Sequence, residues 1–131
     1  VPLIVQKEWF TKEDIQANPE NIYVFGDNEQ RQGTGGQAKA CRGEPNTIGI
    51  RTKRFPGYDE SAYWTDETVD QNRKMISEDF QKVHEALKQG KRVVFPADGF
   101  GTGLAKLKEN APATLHWIEK WVQSLRNVYE V

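Results

Sequence analysis

The sequence predicts an α/β fold with a largely parallel or mixed central sheet and helices on both of its faces. Three observations lead there. Four short runs rich in β-branched and aromatic residues are spread along 131 residues, and amphipathic stretches of helical period lie between them. Two glycine-rich segments follow directly on two of those runs. Strands that alternate with helices bury both faces of one sheet. The length suits one hydrophobic core and is too short for two, so residues 1–131 read as a single domain.

The elements follow in order. Leu3-Ile4-Val5 is a short strand. Thr11, with Asp14 three residues on, caps a short helix running to about Ala17, and Asn18-Pro19 ends it. Ile22-Tyr23-Val24-Phe25 is a stronger strand that enters Gly26-Asp27-Asn28 and then Gly33-Thr34-Gly35-Gly36. Good helix formers from Gln37 to Cys41 make a short helix, and Thr47-Ile48-Gly49-Ile50 a third strand. The stretch from Arg54 to Trp64 is irregular, turning at Phe55-Pro56-Gly57-Tyr58. Thr68 and Gln71 have capping-box spacing. Beyond them Val69, Ile76, Phe80, Val83 and Leu87 share one helical face, and Gly90 stops that helix. Arg92-Val93-Val94-Phe95 is the fourth strand, feeding the second glycine segment, residues 96–103. The last helix begins near Asn110 with Pro112 in its first turn, and buries Ala111, Leu115, Ile118, Val122 and Leu125.

Composition narrows the function classes. The 37% apolar and 28% charged fractions are those of a water-soluble domain, and no apolar run reaches the ~20 residues of a membrane span. No basic-then-apolar signal segment is read at the N-terminus, where Val1 stands in place of an initiator Met. Cys41, the sole cysteine, excludes an internal disulfide and points to a reducing, cytoplasmic setting. With one Cys and two separated histidines, His84 and His116, no metal site and no cofactor is expected. A net charge of −1 argues against a general nucleic-acid binder. Charge is nevertheless uneven. Arg31, Lys39, Arg42, Arg51, Lys53 and Arg54 are opposed only by Glu44, and the following stretch is acidic. That basic run is either a solvated face or part of an anion site beside the first glycine segment.

Ligands of open α/β sheets bind beyond the carboxyl ends of the strands. Both glycine segments lie there, after Phe25 and after Phe95. Glycines allow a ligand to approach the main chain closely, and successive N–H groups in a turn form an anion-binding concavity. Neither segment matches a Walker A or a dinucleotide fingerprint, so each alone reads equally as a tight turn. Together, beside the basic run, they point to phosphate.

The residues then resemble a known family. Strand–Gly26-Asp27-Asn28…Arg31-Gln32-Gly33-Thr34-Gly35-Gly36-Gln37-Ala38 is similar to the first ligand loop of macrodomains. The closest class contains the terminal ADP-ribose protein glycohydrolase and the macrodomain antitoxins that reverse DNA ADP-ribosylation. The likeness continues through Ile48-Gly49-Ile50 into Thr52-Lys53-Arg54, and through Pro96 to Gly101-Thr102-Gly103-Leu104-Ala105-Lys106-Leu107. About residues 22–107 are covered in the right order.

The resemblance implies a three-layer macrodomain-like sandwich with a central mixed sheet and an ADP-ribose cleft. It implies ligand contacts from Asn28, Arg31, Gly33, Thr34, Gly35, Gly36 and Gln37, from Thr52, and from Gly99, Phe100, Gly101, Thr102, Gly103 and Leu104. Lys53 falls where the class carries a lysine that attacks the anomeric carbon, a role that suits an amine whose pKa is lowered. Arg51 and Arg54 are the neighbours expected to lower it; a solvated surface lysine is the other reading. The class continues Gly-Leu-Asp in its second loop, with the acid assisting turnover. Here Ala105 stands in that place, leaving Asp27 and Asp98 as candidate bases. The acidic segment that reads adenine in many macrodomains has no counterpart near residues 7–11.

Two functions stay open. One is a hydrolase that removes ADP-ribose from protein or nucleic acid. The other is a non-catalytic module, a sensor or sponge for an ADP-ribose-like or cyclic nucleotide. Outside the loops, Cys41 reads as a buried structural thiol, and His84 and His116 as surface or packing residues. Trp117 and Trp121 read as cover for the sheet, while Tyr58, Tyr63 and Trp64 either stack on a base or close the core.

Overall fold

The computed structural model describes residues 1–130. In chain order the elements are β1 (Leu3–Gln6), α1 (Lys12–Ala17), β2 (Asn21–Asp27), α2 (Ala38–Cys41), β3 (Thr47–Arg51), α3 (Val69–Lys88), β4 (Arg92–Pro96), α4 (Leu107–Asn110) and α5 (Pro112–Tyr129). Two 3₁₀ turns, Glu60–Ala62 and Asp66–Thr68, precede α3.

The strands form one sheet in the order β1-β4-β2-β3, and every pairing is parallel. Of the parallel and mixed sheets left open by the sequence the structure has the parallel one, and the mixed sheet implied by the macrodomain resemblance is not formed. Each connection crosses over through a helix or a long segment, which returns the chain to the same end of the sheet. Among the described residues, the one antiparallel contact is an isolated bridge between Lys53 and Tyr63, outside the strands.

Side-chain alternation along the strands feeds two cores. Val24, Val93 and Phe95 join Ile76, Phe80, Val83 and Leu87 of α3 and Ile118 and Leu125 of α5. Tyr23, Phe25 and Val94 point the other way, onto Ile15 of α1 and Ala38, Ala40 and Cys41 of α2. Trp117 and Trp121 are half-buried against the larger core; Trp121 stacks on Phe80, and both indoles donate to Ser77 Oγ. Those packing roles are the ones their spacing suggests.

Local signals act as expected at several ends. Thr11 Oγ1 accepts from Asp14 N while Asp14 accepts from Thr11 N, a complete capping box. Gly90, at φ +84°, ends α3 with Lys91 N donating to Ala86 O. The Thr68–Gln71 pair does not cap. A 3₁₀ turn occupies residues 66–68, and Thr68 Oγ1 donates to Asn72 Oδ1 and Thr65 O instead. The start of α5 is capped from a distance: Asp66 accepts from Ala113 N, Thr114 N and Thr114 Oγ1.

This topology places the site. β2 and β4 are neighbours, yet the chain leaving β2 packs through α2 on one face and the chain leaving β4 through α4 and α5 on the other. Adjacent strands whose continuations diverge open a crevice at their carboxyl ends. Both glycine loops start there.

Candidate functional site

A cleft of about 670 Å³ runs along the carboxyl edge of the sheet. It extends from the segment after β1, past the loops after β4 and β2, to the segment after β3. Three strand spacings set its length at roughly 14 Å.

The first loop is held from behind by charge. The Arg42 guanidinium grips Asp27 through two hydrogen bonds, of 2.7 and 3.0 Å, and also donates to the carbonyls of Gly33 and Gln32. Arg31 takes a left-handed backbone, φ +56°, and bridges Asp27, Gly49 O and Asp79 on α3. Asp79 is fully buried and also receives the backbone N and guanidinium of Arg51. Gly49 in mid-strand makes this possible, because a Cβ there would stand 2.5 Å from Asp27 Oδ2. Asn28 spends its side chain inside the turn, donating to Gln32 O and accepting from Gln30 N. Gln37 clasps the backbone N and O of Phe10, joining the loop to the segment after β1.

The second loop closes on itself through Thr102 Oγ1, which donates to Asp98 O. Gly101 sits at φ +80° with its Cα against Leu107, so a side chain there is excluded both by backbone and by space. The loops meet where Leu104 lies over Gly35.

The consequence is two runs of open donors. Among the described residues, the N–H groups of residues 33–37 and 100–105 enter no hydrogen bond within the protein. N–H groups in such a concavity attract an anion.

Lys53 completes the cleft. Strand-like pairing carries past β3, with Thr52 N donating to Asp27 O and Glu29 N to Lys53 O, and this brings Lys53 alongside the first loop. Its side chain is buried, donates from Nζ to Gly57 O at 2.7 Å, and lies 4.7 Å from the centre of the Tyr63 ring. Burial pushes the Lys53 pKa below that of an ordinary lysine, and the nearby charge of Lys106 pushes it further. Arg51 and Arg54, the neighbours expected from sequence, are not responsible. Arg51 turns to Asp79 and Glu78, and Arg54 is exposed.

The residues singled out from sequence fall into three groups. Asp27, Asn28, Gly33, Gly35, Gly36, Gln37, Thr52, Lys53, Asp98, Gly99, Gly101, Thr102, Gly103 and Leu104 all line the cleft. Of these, Asp27 is ion-paired to two arginines, while Asp98 is exposed. Arg31, Thr34 and Phe100 do not line it. Arg31 faces the back of the first loop, and Phe100 is 2% exposed, packed edge-on against Phe80 and Phe95. Tyr63 and Trp64 are buried, whereas Tyr58 is 77% exposed at the Lys53 end.

Sequence reasoning missed Trp9, Glu8, Lys106 and the clamp role of Arg42. Trp9 is 58% exposed and lines the opposite end of the cleft from Tyr58. A tryptophan just past a strand's carboxyl end was the available signal. Cys41 is fully buried and burial pushes its thiol up to about 12, an inert group. Among the described residues no cluster of His, Cys, Asp and Glu is arranged to hold a metal, and no helix is long and apolar enough to cross a membrane.

Fold and cleft thus define an α/β protein with a crevice between two glycine loops at the carboxyl edge of a parallel sheet. Residues 5–121 match the Family of unknown function (DUF7831), and the chain belongs to that family. No curated protein and no solved structure matches it.

Proposed function

We propose that this protein binds ADP-ribose or a related phosphorylated nucleotide in the cleft and hydrolyses ADP-ribosyl linkages on protein or nucleic acid. One observation carries the reading: two runs of unengaged N–H groups converge on the same cleft as a buried lysine without a carboxylate partner among the described residues. The diphosphate lies against Gly33, Gly35, Gly36 and Gln37 of the first loop and residues 101–105 of the second. Trp9 offers a ring face to the base, which puts the distal ribose toward Lys53. Helices packed on both faces of the sheet support the three-layer macrodomain-like description.

In the reaction, neutral Lys53 Nζ forms a bond to the anomeric carbon as the bond to the modified group breaks. The proton lost from the amine leaves with that group. Water then adds to the same carbon, releasing ADP-ribose and restoring the amine. The candidate bases for the water are Asp98, exposed on the second loop, and Asp27, which is ion-paired to Arg31 and Arg42.

The binding-only alternative has its own support. Ala105 is buried at the position of the assisting acid, and a sponge or sensor needs the cradle without Lys53. Calorimetric titration of ADP-ribose into wild type and Lys53→Ala tests the site. Binding by both supports the cradle and leaves Lys53 to chemistry, which release of ADP-ribose from modified DNA and protein then measures. Binding without release in that assay supports the module. No binding by wild type removes ADP-ribose as the ligand.

A further inference from the structure

The second glycine loop ends in a residue whose conformation its type does not favour. Lys106 takes a left-handed backbone, φ +50° and ψ +41°, costing on the order of 1 kcal/mol for a residue with a Cβ. That turn lets Leu107 N donate back to Gly101 O and Lys106 N to Gly103 O. It also lays Lys106 Nζ 5.7 Å from the centre of the Tyr63 ring, the ring that holds Lys53 Nζ at 4.7 Å. Two ammonium groups from distant parts of the chain thus share one phenol ring, and among the described residues neither has a carboxylate partner. Lys53 is buried and Lys106 exposed, so the buried amine bears the greater cost of carrying charge beside the other.

We propose that Lys106 is a positioning residue of the reactive site, a second cation beside the Tyr63 ring whose charge disfavours the ammonium form of Lys53 and so favours the amine able to attack a sugar aldehyde or anomeric carbon.

The surrounding charges leave this task to Lys106. Asp27 is tied to Arg31 and Arg42, Glu29 accepts from Trp64 Nε1, and Arg51 is tied to Asp79 and Glu78. Arg54 is exposed, and Lys7, Glu8 and Asp98 are exposed on other parts of the cleft wall. Burial already disfavours the charged form of Lys53, and the field of Lys106 adds to it. Lys106 occupies the position directly after Ala105, so the loop brings a cation to the reacting amine. The sugar chemistry rests on the proposed function; the coupling between the two lysines does not.

The test separates them. Formaldehyde and cyanoborohydride are applied to the intact protein from pH 6 to 10 in low salt, and methylation of Lys53 is read by peptide mass spectrometry. Lys53 Nζ bonds to the aldehyde carbon, water leaves, and hydride from cyanoborohydride reduces the imine to a secondary amine. Lys106→Asn removes the charge and suits the left-handed backbone. Lys106→Arg keeps the charge.

The expected result is that Lys106→Asn slows Lys53 modification at neutral pH by roughly threefold or more and moves its midpoint to higher pH. Lys106→Arg stays near wild type, and 1 M salt shrinks the difference. Superimposable profiles for wild type and Lys106→Asn overturn the proposal, as does a Lys106→Arg profile that follows Lys106→Asn. A parallel arm replaces formaldehyde with ADP-ribose. A shifted formaldehyde profile without an ADP-ribose adduct on Lys53 upholds the role of Lys106 and counts against the nucleotide reading.

Discussion

Replacing Asp79 with asparagine removes one of the two buried carboxylates that fasten the first glycine loop to the body of the fold. The Asp79 side chain is fully buried between Arg31 Nη2 at 2.7 Å, Arg51 N at 2.8 Å and Arg51 Nε at 3.0 Å. Breaking a buried pair from one side costs about 3–5 kcal/mol where the remaining charge loses its partners; here Arg31 keeps Asp27 and Arg51 keeps Glu78. Both guanidinium groups keep some water contact, Arg31 at 36% and Arg51 at 19% side-chain exposure, so the low end, about 3 kcal/mol, applies. With a urea slope of roughly 1.5 kcal/mol/M, the unfolding midpoint falls by about 2 M. The cost reflects stranded charge rather than lost attraction. Asp79→Leu combined with Arg31→Met and Arg51→Met therefore recovers most of it, and Asp79 and Arg51 show strong coupling in a double-mutant cycle. A loss below about 1 kcal/mol, the value of an exposed pair, or additive single effects, would refute this account of the loop.

Four other outcomes follow from the same geometry. Gly35→Trp abolishes ADP-ribose binding in calorimetry while the thermal midpoint stays close to wild type, since a Cβ there meets only the flexible end of Leu104. Gly101→Val loses binding and about 1–3 kcal/mol of stability together, as its backbone and Leu107 both oppose a side chain. Lys53 disfavours its charge in the folded state, so the unfolded chain binds more protons at this group between its lowered folded pKa and 10.5. Wild-type stability relative to Lys53→Met therefore rises with pH through that window in urea titrations, and a flat or falling difference contradicts the lowered pKa. Cys41 stays unmodified by iodoacetamide at pH 8 in the native protein and reacts on addition of denaturant, as a thiol pushed up to about 12 by burial requires.

Much of this protein was legible in its sequence because the signals are local. Thr11 with Asp14, Gly90 after α3 and the apolar stripe from Ile76 to Leu87 act through neighbours within one or two turns. The four strands and the loops after Phe25 and Phe95 were readable for the same reason, and so was Cys41 as a packed thiol. A crevice between the two loops followed from their place at strand ends. Other features were decided by residues far apart in the chain. All-parallel pairing depends on β4 entering between β1 and β2, which no stretch of strand sequence encodes. Asp66 caps a helix 47 and 48 residues away, and Thr68 Oγ1 turns to Thr65 O and Asn72 Oδ1 in place of the local cap suggested with Gln71. Phe100 sits among ligand-loop glycines yet turns inward, because Phe80 and Phe95 offer it an apolar socket. Arg31, Arg42 and Arg51 look like one basic patch in sequence. Folding brings Asp27 and Asp79 against them, leaving Lys53 facing Lys106 across Tyr63. Periodicity and caps are local, so the helices, the strands and the loop positions could be read along the chain. Which charges are paired and which are left without a partner among the described residues depends on distances set by the fold.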